Sequence, residues 1–189
     1  MRADAAQRRE AIIRHARHVF AARGGDVALE AVAAASGVGI ATLYRNFPSR
    51  DDLIRAVIED MVREILEIVA EARGAAEKDP ADAWRGLLAR LMDMELGALT
   101  DGLGLQANAG TDAADASPLV QIQQPALNAL EELLAILKHR NAVRMSITAL
   151  GVVVAVATIT RPQVPAIREA APGVPEQLAE AYLHWSSGG

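Results

Sequence analysis

A hydroxyl, a phenol and a guanidinium stand within one helical turn of each other at Thr42, Tyr44 and Arg45, in a run that stops at Pro48. These groups offer hydrogen bonds in several directions, the chemistry needed to meet nucleic acid. At 100° per residue, Ala41, Thr42, Tyr44 and Arg45 project from one side of a helix, while Leu43 and Phe47, four apart, face the other. Arg45 is suited to a bidentate contact with a guanine edge; Thr42 and Tyr44 suit phosphate oxygens, or a thymine methyl in the case of Thr42. Small Gly39 and Ala41 permit close approach to a groove, Ile40 sits near the inward edge, and Asn46 and Arg50 complete the set. Arg8 and Arg9 reach from an N-terminal arm to a phosphate or the minor groove, or else remain solvated charges.

To present those groups, residues 32–47 must form two short helices around a tight turn. The spacing predicts helices over 29–35 and 40–46 with Ser36-Gly37 between them, glycine being suited to a left-handed backbone. Ala33 is small where the two helices cross. A first helix over 5–23 carries the stripe Ile12, Ile13, Ala16, Val19 and Phe20, and Gly24-Gly25 signals its end. Ser49 with Asp52 three residues on has capping-box spacing and opens a long helix reaching Gly74.

Beyond it, Asp79-Pro80 starts a helix with Asp at the N-cap and Pro in the first turn. Trp84, Leu87, Leu88, Leu91, Met92 and Leu99 form its buried side. Residues 101–117 read as a short helix and a mobile loop. A helix then runs from Ser117-Pro118 to Lys138, kinked or split at Pro125. Asn141 is expected to cap a helix over 142–160; its β-branched stretch also fits a strand, but its length and the lack of a partner strand favour helix. Pro162, Pro165 and Pro172 mark a loop before a last amphipathic helix over 175–185. The fold class is therefore all-α: residues 1–50 form a helix-turn-helix DNA-binding domain, with the start of a connecting helix to about 65, and 51–189 a C-terminal ligand-binding and dimerisation domain.

The overall charge of −5 averages two unlike parts. Residues 1–55 carry nine Arg against six acids, a net of +3, while the remaining 134 residues are net −8. A basic head on an acidic body fits DNA, because phosphate contacts supply most non-specific affinity. The chain has no Cys, which excludes disulfides, thiol catalysis and cysteine zinc sites. The N-terminus is too polar for a signal peptide and the apolar run 147–159 too short to span a bilayer, so a soluble cytoplasmic protein is expected, with no membrane partner.

The run ATLYRNFPSRDDL, preceded by VAAASGVG and by REAIIRHARHVFAARG, resembles the N-terminal domain of TetR-family transcriptional regulators over residues 8–65. Phe20, Gly24, Ala33, Gly37-Val38, Thr42-Leu43-Tyr44, Phe47-Pro48 and Leu53 carry the resemblance. It implies an all-α homodimer in which three helices bind DNA, a fourth connects, and a divergent body binds a small molecule. It also implies a four-helix dimer interface, here through helices near 142–160 and 175–185, for which the apolar 147–159 face is independently suited. The chain departs from the family where Gly39-Ile40-Ala41 replaces a common Ser-Lys-Gly and Ala28 stands near a common threonine. A serine cap, a lysine and a threonine that would meet phosphate are thus missing, and Arg50, where a lysine is common, takes over part of that contact.

Elsewhere the side chains offer little catalysis. His15 and His18 have metal-compatible spacing but no third ligand, so neither a metal nor another cofactor is expected. Gly102-Leu103-Gly104 with Asn108 and Gly110 lacks the Lys-Ser/Thr of a phosphate loop. Trp84, Leu88, Met92, Leu105, Gln121, Gln124, Asn128 and Met145 are candidates to line a cavity for a small organic effector, apolar with a few amides. No Ser-His-Asp grouping or carboxylate pair emerges, so an enzyme is not expected. The expected function is a ligand-responsive repressor on a near-palindromic DNA operator. The alternative is a helical ligand- or partner-binding protein whose head binds DNA weakly.

Overall fold

The computed structural model describes residues 2–23, 26–94, 96–98 and 118–188, and among these the main elements are helices. They are α1 (Arg2–Arg23), α2 (Leu29–Ala35), α3 (Ile40–Asn46), α4 (Arg50–Ala76), α5 (Pro80–Asp93), α6 (Pro118–His139), α7 (Ala149–Ile159), α8 (Pro165–Ala170) and α9 (Val174–Ser186). The only β pairing among the described residues is an isolated antiparallel bridge between Val143 and Ser187. The all-α expectation therefore holds. Gly24-Gly25, Leu99 and residues 101–117, with Leu105 among them, lie outside the described residues.

Two compact units divide the chain, and the division cuts α4 between Val62 and Arg63 and α6 between Gln123 and Gln124. The first unit contains α1, α2, α3, the opening of α4 and the opening of α6 to Gln123. Its apolar stripe on α1 is buried at Ile12, Ile13, Ala16 and Phe20, with Leu29, Val32 and Ala33 of α2, Leu43 and Phe47 about α3, and Leu53, Ala56, Val57, Ile58 and Met61 of α4. Each large apolar side chain removed from water contributes about 1.5–3 kcal/mol, so burial of this set stabilises the packing of the three helices on the opening of α4. The capping box at Ser49 forms as its spacing predicts. Ser49 Oγ accepts from the Asp52 amide at 3.1 Å, and the Ser49 amide donates back to Asp52 Oδ2 at 3.0 Å.

The second unit holds α4 from Arg63, α5, α6 from Gln124, α7, α8 and α9. Asp79 caps α5, accepting from the amides of Ala81 and Asp82. Its buried residues Ala83, Trp84, Leu87, Leu88 and Leu91 form the inward side of α5, which packs with α7 and α9. The fully buried Trp84 donates its indole N–H to Ser186 Oγ at 3.1 Å. Gly97 lies against the end of α7: a Cβ there would come within 2.1 Å of the Ala157 carbonyl oxygen, so glycine alone allows that approach. Among the described residues no helix is long and apolar enough to cross a membrane.

Three local expectations change. Pro125 lies inside α6, and of the kink or split expected there the split does not occur. Asn141 does not cap a helix over 142–160; it ends the preceding one. Its φ is +56°, its amide donates to the Lys138 carbonyl and the Ala142 amide donates to the Leu137 carbonyl. That is a Schellman ending with asparagine in the left-handed position, where only glycine and asparagine are at ease. The dimer-helix range 142–160 accordingly shortens to Ala149–Ile159, capped by Thr148, whose hydroxyl accepts from the Gly151 amide at 3.1 Å. Residues 142–144 are instead held by the chain's last described residues, through Arg144 N–H to the Ser186 carbonyl and Gly188 N–H to the Ala142 carbonyl. The third change is α8, a short helix within the stretch expected as a proline-marked loop.

Candidate nucleic-acid interface

The turn between α2 and α3 is built from backbone hydrogen bonds. The Gly37 amide donates to the Ala34 carbonyl and the Val38 amide to the Ala33 carbonyl, a second Schellman ending, with Gly37 at φ +66°. Ser36 adds a hydroxyl bond to the Val32 carbonyl at 2.7 Å. The carbonyls of Val32, Ala33 and Ala34, which have no partner further along α2, are satisfied as the chain reverses direction.

On α3, Leu43 and Phe47 are buried, as their inward phase predicts, and the opposite side is open. Tyr44 is 45% exposed, Arg45, Ala41 and Gly39 are exposed, and Thr42, Ile40 and Asn46 are half-buried. Two of these side chains bond within the helix: Arg45 donates to Thr42 Oγ1 at 2.8 Å, and Asn46 Nδ2 donates to the Thr42 carbonyl at 2.8 Å. The helix thus presents Tyr44 and a braced Arg45 on one outward face.

The departures from the common family pattern have a structural counterpart. Ala28 and Gly39 occupy the N-cap positions of α2 and α3, and neither supplies a side-chain cap. Arg50 donates to the Val27 carbonyl at 2.7 Å, tying the start of α4 to the segment before α2. Arg8 and Arg9 are exposed on α1, and the Arg9 guanidinium carbon lies 5.0 Å from the centroid of the Phe47 ring. Neither the Arg50 bond nor the Arg9 contact was visible in spacing, because each joins segments far apart in sequence. His18 Nδ1 lies 2.8 Å from the Arg14 carbonyl oxygen, and among the described residues no three metal-binding side chains gather.

Residues 12–57 match the model of the bacterial regulatory proteins, tetR family. Over the whole fold, the chain is similar to a TetR transcriptional regulator from Streptomyces coelicolor, with 30% identity, 95% of this chain and 98% of that one covered, and a TM-score of 0.60. The chain belongs to the TetR family. A TetR transcription regulatory protein from Mycobacterium vanbaalenii is similar at 27% identity, with 98% of both chains covered and a TM-score of 0.63. RolR, in a complex with resorcinol, shares the TetR fold at 19% identity, with 98% of this chain and 90% of that one covered and a TM-score of 0.52. Among curated proteins none matches significantly. Residues 12–57, within the first unit, therefore carry the DNA-binding domain of a TetR transcriptional regulator.

Of the residues expected to line an effector cavity, the described ones lie on α5, on α6 and on the segment before α7. Trp84 and Leu88 are buried and Met92 half-buried, one turn apart along a single face of α5. Gln124 and Asn128 are exposed on α6, where Gln124 donates to Asn128 Oδ1 at 2.8 Å. Gln121 is exposed and Leu105 lies outside the described residues. Met145 is 78% exposed on the segment before α7. There it borders an open depression of about 400 Å³ with Lys138, Asn141, Val143, Arg144, Ser146 and Gly188.

Proposed function

We propose that this TetR regulator is a ligand-responsive repressor that binds a near-palindromic operator as a homodimer and leaves it when a small organic effector binds the body. The observation that carries the reading is the outward face of α3, where Arg45 is held by Thr42 beside an exposed Tyr44 while Leu43 and Phe47 anchor the helix beneath. In a dimer two such faces meet successive major grooves about one DNA turn apart or somewhat more. Thr42, Tyr44 and Arg45 are the readers; Gly39, Ile40, Ala41 and Asn46 border them, and Arg8 supplies charge from α1.

The homodimer reading rests on α7 and α9. Each buries one side, at Val152 and Val156 of α7 and at Ser186 of α9. Each also leaves large apolar side chains in water: Leu150 and Val154 on α7, Val174, Leu178 and Trp185 on α9. Tyr182 and Trp185 lie with ring centroids 5.9 Å apart, and burial pushes the Tyr182 hydroxyl above its ordinary range. A second copy covering these helices by a two-fold axis would remove that surface from water.

Support for the effector is narrower. Met92 with Trp84 and Leu88 offers an apolar face on α5, and RolR, of the same fold, holds resorcinol. The α4 helix runs unbroken from the capping box at Ser49 to Ala76, and in this reading it carries the ligand state to the DNA-facing helices. Coupling requires only that the effector prefer the DNA-incompetent form; each tenfold preference is about 1.4 kcal/mol. The test is binding of the purified protein to duplexes from the intergenic DNA flanking its gene, across a salt series, with and without small aromatic compounds. A steep salt slope, protection of a palindrome and release by a compound are expected. Weak binding without sequence preference favours the helical partner-binding alternative, which the absent caps at Ala28 and Gly39 leave in view.

A further inference from the structure

Resting on the reading of α3 as the DNA-facing helix, we propose that Arg9 is a positioning residue for that helix rather than a phosphate contact. Phe47 is the C-cap of α3, its backbone extended at φ −139° and its amide donating to the Leu43 carbonyl. Its ring is almost wholly buried, and the Arg9 guanidinium lies over one face at 5.0 Å. A guanidinium is flat, weakly hydrated and positive, so it covers an aromatic face that an ammonium covers less well. The side chain of Arg9 extends from α1, so this contact joins the first helix of the head to the last residue of the recognition element.

That placement has a consequence for DNA reading. Leu43 holds the middle of α3 from below, and Phe47 holds its C-terminal end, one residue beyond Asn46 and two beyond Arg45. A Phe47 ring free to shift would let the last turn of α3 fray, and Arg45 would lose its direction although none of its own contacts had been removed. Arg9 closes the ring's open face and resists that motion. Arg50, which binds the Val27 carbonyl, restrains the other side of the same unit, before α2. Two arginines that sequence reading assigns to phosphate are thereby engaged with the head itself.

Phosphate contact and positioning make different predictions for salt dependence. Removing one phosphate contact lowers the slope of log K against log salt by about 0.9. Removing a positioning residue lowers affinity at every salt concentration and leaves the slope unchanged. An exposed cation–π contact corresponds to about a two- to fivefold change in an equilibrium constant.

The experiment uses the full-length protein with Arg9→Gln, Arg9→Lys, Phe47→Leu and the Arg9→Gln/Phe47→Leu pair. Hydrogen exchange on the free protein reads the α3 amides, and binding to a duplex from the flanking intergenic DNA reads affinity and salt slope. Arg9→Gln is expected to speed exchange over residues 43–47 and weaken binding two- to fivefold at an unchanged slope. Arg9→Lys should restore part of both. In the Phe47→Leu background Arg9→Gln should add nothing. A slope lower by about one with unaltered α3 exchange, or full rescue by Arg9→Lys, or no effect at all, overturns the proposal. Wild-type protein that binds no duplex overturns the DNA-reading function instead, while exchange still decides the Arg9–Phe47 relationship.

Discussion

Arg45 donates a 2.8 Å hydrogen bond to Thr42 Oγ1, one turn earlier on α3. A free arginine loses side-chain entropy when it docks on a base, and an internal bond made beforehand reduces what is left to lose. In the proposed function Thr42 acts on recognition through Arg45 as well as through the part of its own side chain that faces solvent. Thr42→Ser keeps the hydroxyl and should keep operator preference; Thr42→Val is isosteric without an acceptor and should lower it several-fold. Arg45→Ala should remove about 1–3 kcal/mol of discrimination between operator and scrambled duplex. Competition binding with the two duplexes measures both, and intact discrimination in Arg45→Ala removes Arg45 from the readers.

Gly37 sits at φ +66° with nothing within 4 Å of where a Cβ would be. Substitution therefore meets only the backbone penalty, about 1–2 kcal/mol for alanine in the left-handed region. Gly37→Asn, whose side chain tolerates that region, should cost less than Gly37→Ala. Urea unfolding of the two variants orders them; a larger loss for Asn would mean the site is closed by something other than backbone geometry.

Ala28 holds the N-cap backbone of α2 without a capping side chain. Ala28→Ser should stabilise the head by about 1 kcal/mol, by accepting from an amide that no side chain now satisfies. The same hydroxyl stands where phosphate contact is common in the family, so DNA affinity should rise as well. Thermal unfolding and duplex titration read the two effects separately.

Asn141 at φ +56° ends α6, and Thr148 starts α7. Asn141→Gly should be neutral or slightly stabilising, whereas Thr148→Ala should cost about 1 kcal/mol. Were Asn141 an N-cap, the two results would exchange places in denaturant titrations.

Leu178 and Trp185 are 49% and 51% exposed on α9. Leu178→Glu should leave the protomer folded and turn a dimer into a monomer in sedimentation velocity, and should abolish cooperative binding to the two operator halves. Trp185 emission should shift to the red in that variant, because its ring would return to water. A wild-type protein that sediments as a monomer at micromolar concentration would remove α7 and α9 as the interface.

The signals that sequence carried plainly were the local ones. A capping box, an Asp-Pro helix start and the turn at Ser36-Gly37 each depend on groups within a few residues, so α2 and α3 emerge at 29–35 and 40–46 as expected, and α5 starts after Asp79. Inward Leu43 and Phe47 and outward Tyr44 and Arg45 follow from helical phase alone. Asparagine serves both ends of a helix, and only the carbonyls of Leu137 and Lys138 behind Asn141 show which end it closes. Met145 has the residue type of a cavity lining, and its exposure is set by the segment around it. What spacing along the chain has no access to is which distant group a long side chain meets. Arg50 on Val27, Trp84 on Ser186 and Arg9 over Phe47 were settled by packing, since their partners come together only when the helices do.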